Sequence, residues 1–273
     1  MADSWPETWA VPLRGFGAIA RMWVRAALAY PMSFWMMAAS QFGAGMLDLV
    51  GIWIMFHTID ALGGFVLSEI AFLYGATAFG LGVADLVGGQ VERLGQLIRT
   101  GRLDTMLLKP LPLLVQVCAD QFALRRVARI AQASLVLAVA AYWVDWTPSK
   151  VGLTLVMLVS GSVIFLSVFV LFGSVQFWTV DASEVANAFT YGGNTLTQYP
   201  LTIFPKEVVT GLTYLVPLAF VNWYPALYVL DRADPYGFPE WLRYASPLAA
   251  LVLVAITAVV WRAGVRHYES TGS

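Results

Sequence analysis

Long apolar runs joined by short polar turns dominate this chain, and one charged stretch interrupts them. The runs Met32 to His57, Phe65 to Val87, Val127 to Trp143, Val151 to Phe177, Ala186 to Thr202 and Pro247 to Trp261 predict six membrane-spanning helices. A hydrocarbon core of ~30 Å asks for ~20 apolar residues per helix. The fifth run is the least apolar, but it carries no charge. Ahead of them, residues 11–29 form an amphipathic pattern. Arg14, Arg21 and Arg25 fall on one side, and Phe16, Ile19, Ala20, Trp23 and Ala27 on the other. Such a helix lies in the headgroup layer with its cations toward anionic lipid, and Pro31 then turns the chain into the bilayer.

The charged interruption, residues 90–113, reads QVERLGQLIRTGRLDTMLLKPLPL. It cannot span, because each central Asp, Lys or Arg costs roughly 2.5 to 3.5 kcal/mol, and it holds Glu92, Arg93, Arg99, Arg102, Asp104 and Lys109. Val91, Leu94, Leu97 and Ile98 keep helical spacing, Gly101 offers a stop, and Pro110 and Pro112 block resumption. The pattern predicts a short amphipathic helix, a glycine turn and a second piece over Leu103 to Leu108. This is either an interfacial loop helix or a docking element for a cytosolic partner.

Residues 206–230 are apolar enough to cross, yet contain Pro217, Asn222 and Pro225. A crossing there would make seven spans. With six, twelve cations (Arg14, Arg21, Arg25, Arg93, Arg99, Arg102, Lys109, Arg125, Arg126, Arg129, Arg262 and Arg266) are cytoplasmic, and four (Lys150, Lys206, Arg232 and Arg243) are outside. That bias obeys the positive-inside rule. The segment is therefore expected to be an outer re-entrant hairpin broken near Pro217, with protein or a wet cavity covering its irregular backbone.

Composition agrees with an all-α polytopic membrane protein forming one domain over residues 1–273, since 59% of residues are hydrophobic and 12% charged. The single cysteine, Cys118, excludes an internal disulfide. His57 and His267 are too far apart in sequence to suggest a metal site. The first residues, MADSWPETW, lack the basic start and apolar core of a cleavable signal, so the first span is expected to serve in targeting. No P-loop exists, because Lys109, Lys150 and Lys206 follow Leu, Ser and Pro rather than Gly. No nucleophile elbow or HExxH motif occurs either. The basic residues lie beside spans, so topology accounts for them and nucleic-acid binding is not expected.

Several polar residues fall at membrane depth. Asp48, in the first span, is either a structural carboxylate or an ion or proton site. Glu69 and Asp85, near the ends of the second, are explained by interfacial solvation. Asn187, Tyr191, Asn194 and Gln198 are spaced by four, three and four residues and form one polar stripe. It suits either a substrate pathway or interhelical contacts in a dimer. Gly192 and Gly193 would admit a close neighbour. Gly43 to Gly45 and Ser160 to Ser162 mark close helix packing.

The amphipathic start, the segment IRTGRLDTMLLKPLPLL between the second and third spans, the run YPLTIFPKEVVTGLTYLVPLAFVNWYPALYVL before the last span and the terminus HYESTGS resemble the permease subunits of type-2 ABC exporters. The resemblance covers essentially the whole chain. It implies a coupling helix with Leu94, Ile98, Arg99, Arg102, Leu103 and Asp104 against an ATPase. It also implies a pathway at Asn187, Tyr191, Asn194 and Gln198, and an outer gate built with Pro200, Pro205, Pro217, Asn222, Tyr224 and Pro225. The implied partners are two ABC ATPase subunits, a second identical or homologous permease, and lipid. ATP and Mg would sit on the ATPase, with no cofactor or catalytic residue on this chain. The implied location is a bacterial inner membrane with both termini cytoplasmic. The alternative is an ion- or proton-coupled carrier or channel using Asp48.

Overall fold

The computed structural model describes residues 10–179 and 183–268. The expectations drawn from the first nine residues and from the end of HYESTGS lie outside them. Every regular element described is helical, apart from an isolated bridge between Leu62 and Phe65. The amphipathic start is α1 (Ala10–Leu28), with Arg14, Arg21 and Arg25 exposed and Ala20 buried. Pro31 occupies the first position of α2 (Pro31–Met55), where its missing N–H leaves no helical bond unmade.

The second apolar run forms α3 (Leu67–Gly88), the axis of the molecule, with α2, α7 (Val127–Ala140), α8 (Pro148–Ser174) and α9 (Ser183–Thr197) packed around it. Glycines permit this crowding. A Cβ on Gly75 would stand 2.9 Å from the Leu137 backbone nitrogen of α7, and one on Gly80 would stand 3.3 Å from the Gly161 carbonyl carbon of α8. Gly161 in turn faces the Val221 carbonyl oxygen at 2.9 Å. The small residues of α8 therefore do mark a close approach, whereas a Cβ on Gly43 or Gly192 would meet nothing within 4 Å. Gly193, by contrast, faces Leu218.

Among the described residues, four helices are long and apolar enough to cross a membrane: α2, α3 with its continuation to Arg99, α8 with its continuation to Phe177, and α12 (Ser246–His267). The third and fifth predicted spans are shorter than their apolar runs. In α7, regular helix stops after 14 residues and tightens into a 3₁₀ turn through Trp143. The next, α9, has 15 residues and ends at Thr197, ahead of Pro200, which cannot continue a helix.

The segment expected to be a re-entrant hairpin holds α10 (Lys206–Tyr214), an irregular stretch at Pro217, a 3₁₀ turn and α11 (Trp223–Val229), with a bend of 82° across the break, a shape that fits a broken span as well as a re-entrant loop. One buried side chain anchors the break. The Asn222 amide nitrogen donates to Leu73 O at 3.1 Å, Thr77 Oγ1 at 2.7 Å and Thr197 O at 2.7 Å, tying the hairpin to α3 and α9 at once. A carbonyl of the break itself is met from α12, where Ser246 Oγ donates to Phe220 O at 2.7 Å, as irregular backbone at membrane depth requires.

Charges separate to the two ends of α3. At its start, Glu69 accepts two hydrogen bonds from Arg232, at 2.7 and 2.8 Å. Nearby, Lys150 pairs with Asp231, Arg243 reaches Arg232 O, and Lys206 reaches Tyr236 O. At its finish, Asp85 pairs with Arg126 and Arg129. The expectation that interfacial solvation explains both acids does not hold, because each is held by arginine. Asp85 is only 3% exposed, and Glu69 is held in a bidentate pair.

Two stability measurements check this packing. Gly75→Ala places a methyl against backbone and is expected to lower the thermal midpoint of the detergent-solubilised chain, while Gly43→Ala leaves it unchanged. Asn222→Ala removes the interhelical bonds of two N–H groups shared among three acceptors, at about 0.6 kcal/mol per bond and roughly 1 kcal/mol together. It is expected to lower the midpoint by several degrees, whereas an unchanged midpoint would show that the anchor contributes nothing.

Candidate functional site

The charged interruption folds much as its pattern predicts. A 3₁₀ turn (Gly89–Arg93) leads into α4 (Leu94–Arg99), and Gly101 adopts φ 66°, a left-handed conformation that glycine alone enters freely. The chain then enters α5 (Arg102–Leu107), passes Pro110 and Pro112, and continues as α6 (Leu113–Ala119). The segment is not wetted all round. Leu94, Leu97, Ile98, Leu103 and Met106 are buried with Val117, Val170, Phe177 and Trp261 in a second core, separate from the one around α3.

That second core sorts the six residues assigned to coupling. Leu94, Ile98 and Leu103 face inward and bolt the segment to α8 and α12. Arg99 and Arg102 are exposed, and Arg102 pairs with Asp120 at 3.0 Å. Asp104 accepts a hydrogen bond of 2.9 Å from Tyr268, whose phenol is pushed up to about 12 by burial and by the Asp104 carboxylate, so it remains a donor at any physiological pH. Further ties are the Gly95 N–H donated to Gln176 Oε1 at 2.7 Å and the close seat of Gly173 against Val91. The outermost point is the pair Leu107 and Leu108, and Leu108 is 87% exposed. Both leucines fall within the second predicted piece, Leu103 to Leu108, but not among the six residues assigned to coupling.

A polar thread runs from this segment to the stripe. Thr190 donates to Glu92 Oε1 at 3.2 Å, so the 3₁₀ turn before α4 touches the middle of α9. Beside it lies the Asp85, Arg126 and Arg129 cluster, with Arg126 Nη1 also donating to Asp85 O at 2.7 Å. A Cβ on Gly89 would fall 2.1 Å from Asp85 Oδ1 and 2.9 Å from Arg126 Nη1, so any side chain there would displace the ion pair. Interfacial solvation was the sequence reading of Asp85, whose two partners lie some forty residues downstream.

Asn187, Tyr191, Asn194 and Gln198 lie along α9 as spaced, but not in one environment. Tyr191 leans on Phe169 of α8. Asn194 and Gln198 open into a cavity of about 430 Å³ that also holds Asp48, Tyr74 and Tyr199. The structure thus unites two features that the sequence kept apart. Asp48 is exposed, seven positions before the end of α2, and no cation lines the cavity. Asn194 Oδ1 is buried without a hydrogen-bond partner among the described residues.

Of the residues assigned to the gate, Pro200 and Pro205 flank a 3₁₀ turn before α10, and Pro217 marks the break. Asn222 holds the anchor, while Tyr224 bonds Thr213 at 2.7 Å and Pro225 is buried within α11. Among the described residues, no group of acids, histidines and cysteines could hold a metal ion.

Comparison with known proteins adds one match. Neither a curated protein nor a solved structure matches the chain. The sequence model of one family, described as ABC-2 family transporter protein, matches residues 42–272, from the middle of α2 to beyond α12. With the helical bundle, the charged segment and the anchored hairpin in place, that match settles the family: the chain belongs to the ABC-2 transporters.

Proposed function

We propose that this chain is the membrane-spanning half of an ATP-driven exporter whose nucleotide hydrolysis takes place on a separate ATPase. Membership of the ABC-2 family supports a permease role and partnership with an ABC ATPase. The observation that carries the rest is the two-faced segment over α4 and α5. One face is locked into α8 and α12, and the other presents Arg99, Arg102 and the Leu107 and Leu108 tip. A partner that pulls or pushes this tip moves the bundle rather than a slack loop. ATP binding then shifts the permease between two arrangements by binding one better than the other.

In this proposal six helices cross the membrane of a bacterial cell, with α7 and α9 as short spans and the α10 and α11 hairpin dipping in from outside. The split of charges between the ends of α3 supports the side assignment. The four cations expected outside gather with Glu69, while arginines expected inside gather with Asp85. Both termini are then cytoplasmic, and α1 lies in the inner headgroup layer.

The cavity of Asp48, Asn194 and Gln198 forms part of the export path and faces a second permease. An exposed carboxylate on a spanning helix does not face lipid at roughly 2.5 to 3.5 kcal/mol. Leu47, which lines the same cavity, is also uncovered, as on a helix awaiting a second subunit. The Glu92 to Thr190 contact then links the driven segment directly to the path helix. Two ATPases, each holding ATP and Mg, complete the assembly. A carrier that needs no ATPase remains the second reading, because Asp48 stands in a cavity without a cationic partner.

Leu108→Asp is expected to reduce co-purification of the ATPase at least tenfold without changing the stability of the chain. Undiminished co-purification would remove the tip from the interface. Glu92→Ala is expected to keep ATPase binding but to lose most of the transport obtained per ATP hydrolysed. If instead the purified chain alone moves substrate in vesicles, and Asp48→Asn abolishes that flux, the carrier reading replaces the exporter.

A further inference from the structure

Where α1, α2 and the loop before α7 meet, a cavity of about 570 Å³ opens at the segment end of the bundle. Arg93 and Arg125 line it, together with Gln90, Gln121, Trp23 and Tyr30. It shares Phe34, Leu124 and Arg125 with a second groove of about 580 Å³, walled by Ala38 and Phe42 of α2 and by Ala128 and Ala131 of α7. From Phe34 to Phe42 this groove follows α2 for about 12 Å. The two hollows are unlike in chemistry: the first is cationic with an aromatic rim, and the second is almost wholly apolar.

The arginines set the site apart. Arg102, Arg126 and Arg129 are each paired with an aspartate. Neither Arg93 nor Arg125 has an ion pair among the described residues, and no carboxylate lines either hollow. Arg93 Nη1 donates to Gln121 Oε1 at 2.8 Å, which aims the guanidinium and leaves it further donors. Two guanidinium groups outside any direct ion pair, beside an apolar channel, match a phosphate joined to a hydrocarbon chain. Trp23 and Tyr30 suit the boundary between the two environments.

We propose that this pair of hollows is a binding site for one anionic glycerophospholipid of the inner leaflet, with its phosphate on Arg93 and Arg125 and one acyl chain laid between α2 and α7. The bound lipid would fasten α1 to the bundle beside Arg93, the residue that precedes α4, so that lipid composition would bear on the driven segment. The inference rests on the proposed placement of α1 in the headgroup layer and of α7 in the bilayer.

Native mass spectrometry of the detergent-purified full chain tests it, comparing phosphatidylglycerol with phosphatidylcholine of the same acyl chains. The wild-type chain is expected to retain phosphatidylglycerol at least fivefold better, and the Arg93→Gln, Arg125→Gln double variant to retain the two lipids within twofold of each other. Ala131→Trp, which fills the groove, is expected to weaken both. A second measurement needs no variant: phosphatidylglycerol with a photoactivatable acyl chain is expected to label peptides spanning residues 34–42 and 124–131. Equal retention of both lipids by the wild-type chain, or label confined to other helices, overturns the proposal. So does glycerol 3-phosphate protecting the chain from heat as well as the whole lipid does, since the acyl groove would then contribute nothing. A nitroxide on Met22→Cys separates the underlying placement: a fully aqueous label with lipid binding intact would move α1 out of the headgroups and leave the lipid site standing.

Discussion

The bundle depends on one helix buried on every side and held by ions at both ends. Between Glu69 and Asp85, α3 carries no charge and is almost entirely buried, and its glycines let α7 and α8 approach to backbone distance. A helix so enclosed can be polar only where partners are supplied, and they are supplied at its termini. Arg232 caps one end, Arg126 and Arg129 the other, and Asn222 inserts between them from the hairpin. Sixteen residues separate the two acids, about 24 Å of helix. The ionic groups thus stand near the two faces of a bilayer core, which keeps their cost down.

Much of this was legible in the sequence because it rests on local rules. The α1 face, the entry of α2 at Pro31, the stop at Gly101 and the break at Pro217 each follow from one residue's backbone preference or from a 3.6-residue period. Partners distant in sequence were not legible. Asp85 meets arginines some forty residues away, Glu69 meets Arg232, and Asp48 shares a cavity with Asn194. Periodicity reports that a face exists but not what covers it. The lengths of α7 and α9 were overread for a related reason: apolar composition continues through Trp143 and Thr202, while regular helix has already ended.

The candidate site is correspondingly of two kinds. In the driven segment, sequence located the element but not its orientation, and half of the residues assigned to partner contact turn out to anchor it instead. In α9, the stripe is present but divided. Its early residues adjoin Glu92 and α8, and its later ones open beside Asp48. A single helix, α9, thus touches the charged segment at its middle and the polar cavity at its end.

The central claim is that an even number of crossings puts the driven segment and the end of the last helix on the same side, opposite the loop after the hairpin. Labelling with a membrane-impermeant maleimide tests it on single cysteines at Lys109, Asp234 and Arg262. Native Cys118 stays silent in the folded chain because burial pushes its thiol up to about 12. The account predicts that Asp234→Cys is labelled from outside intact cells, while Lys109→Cys and Arg262→Cys react only once the cytoplasmic face is opened. Reaction of Lys109→Cys and Arg262→Cys from opposite sides would contradict it.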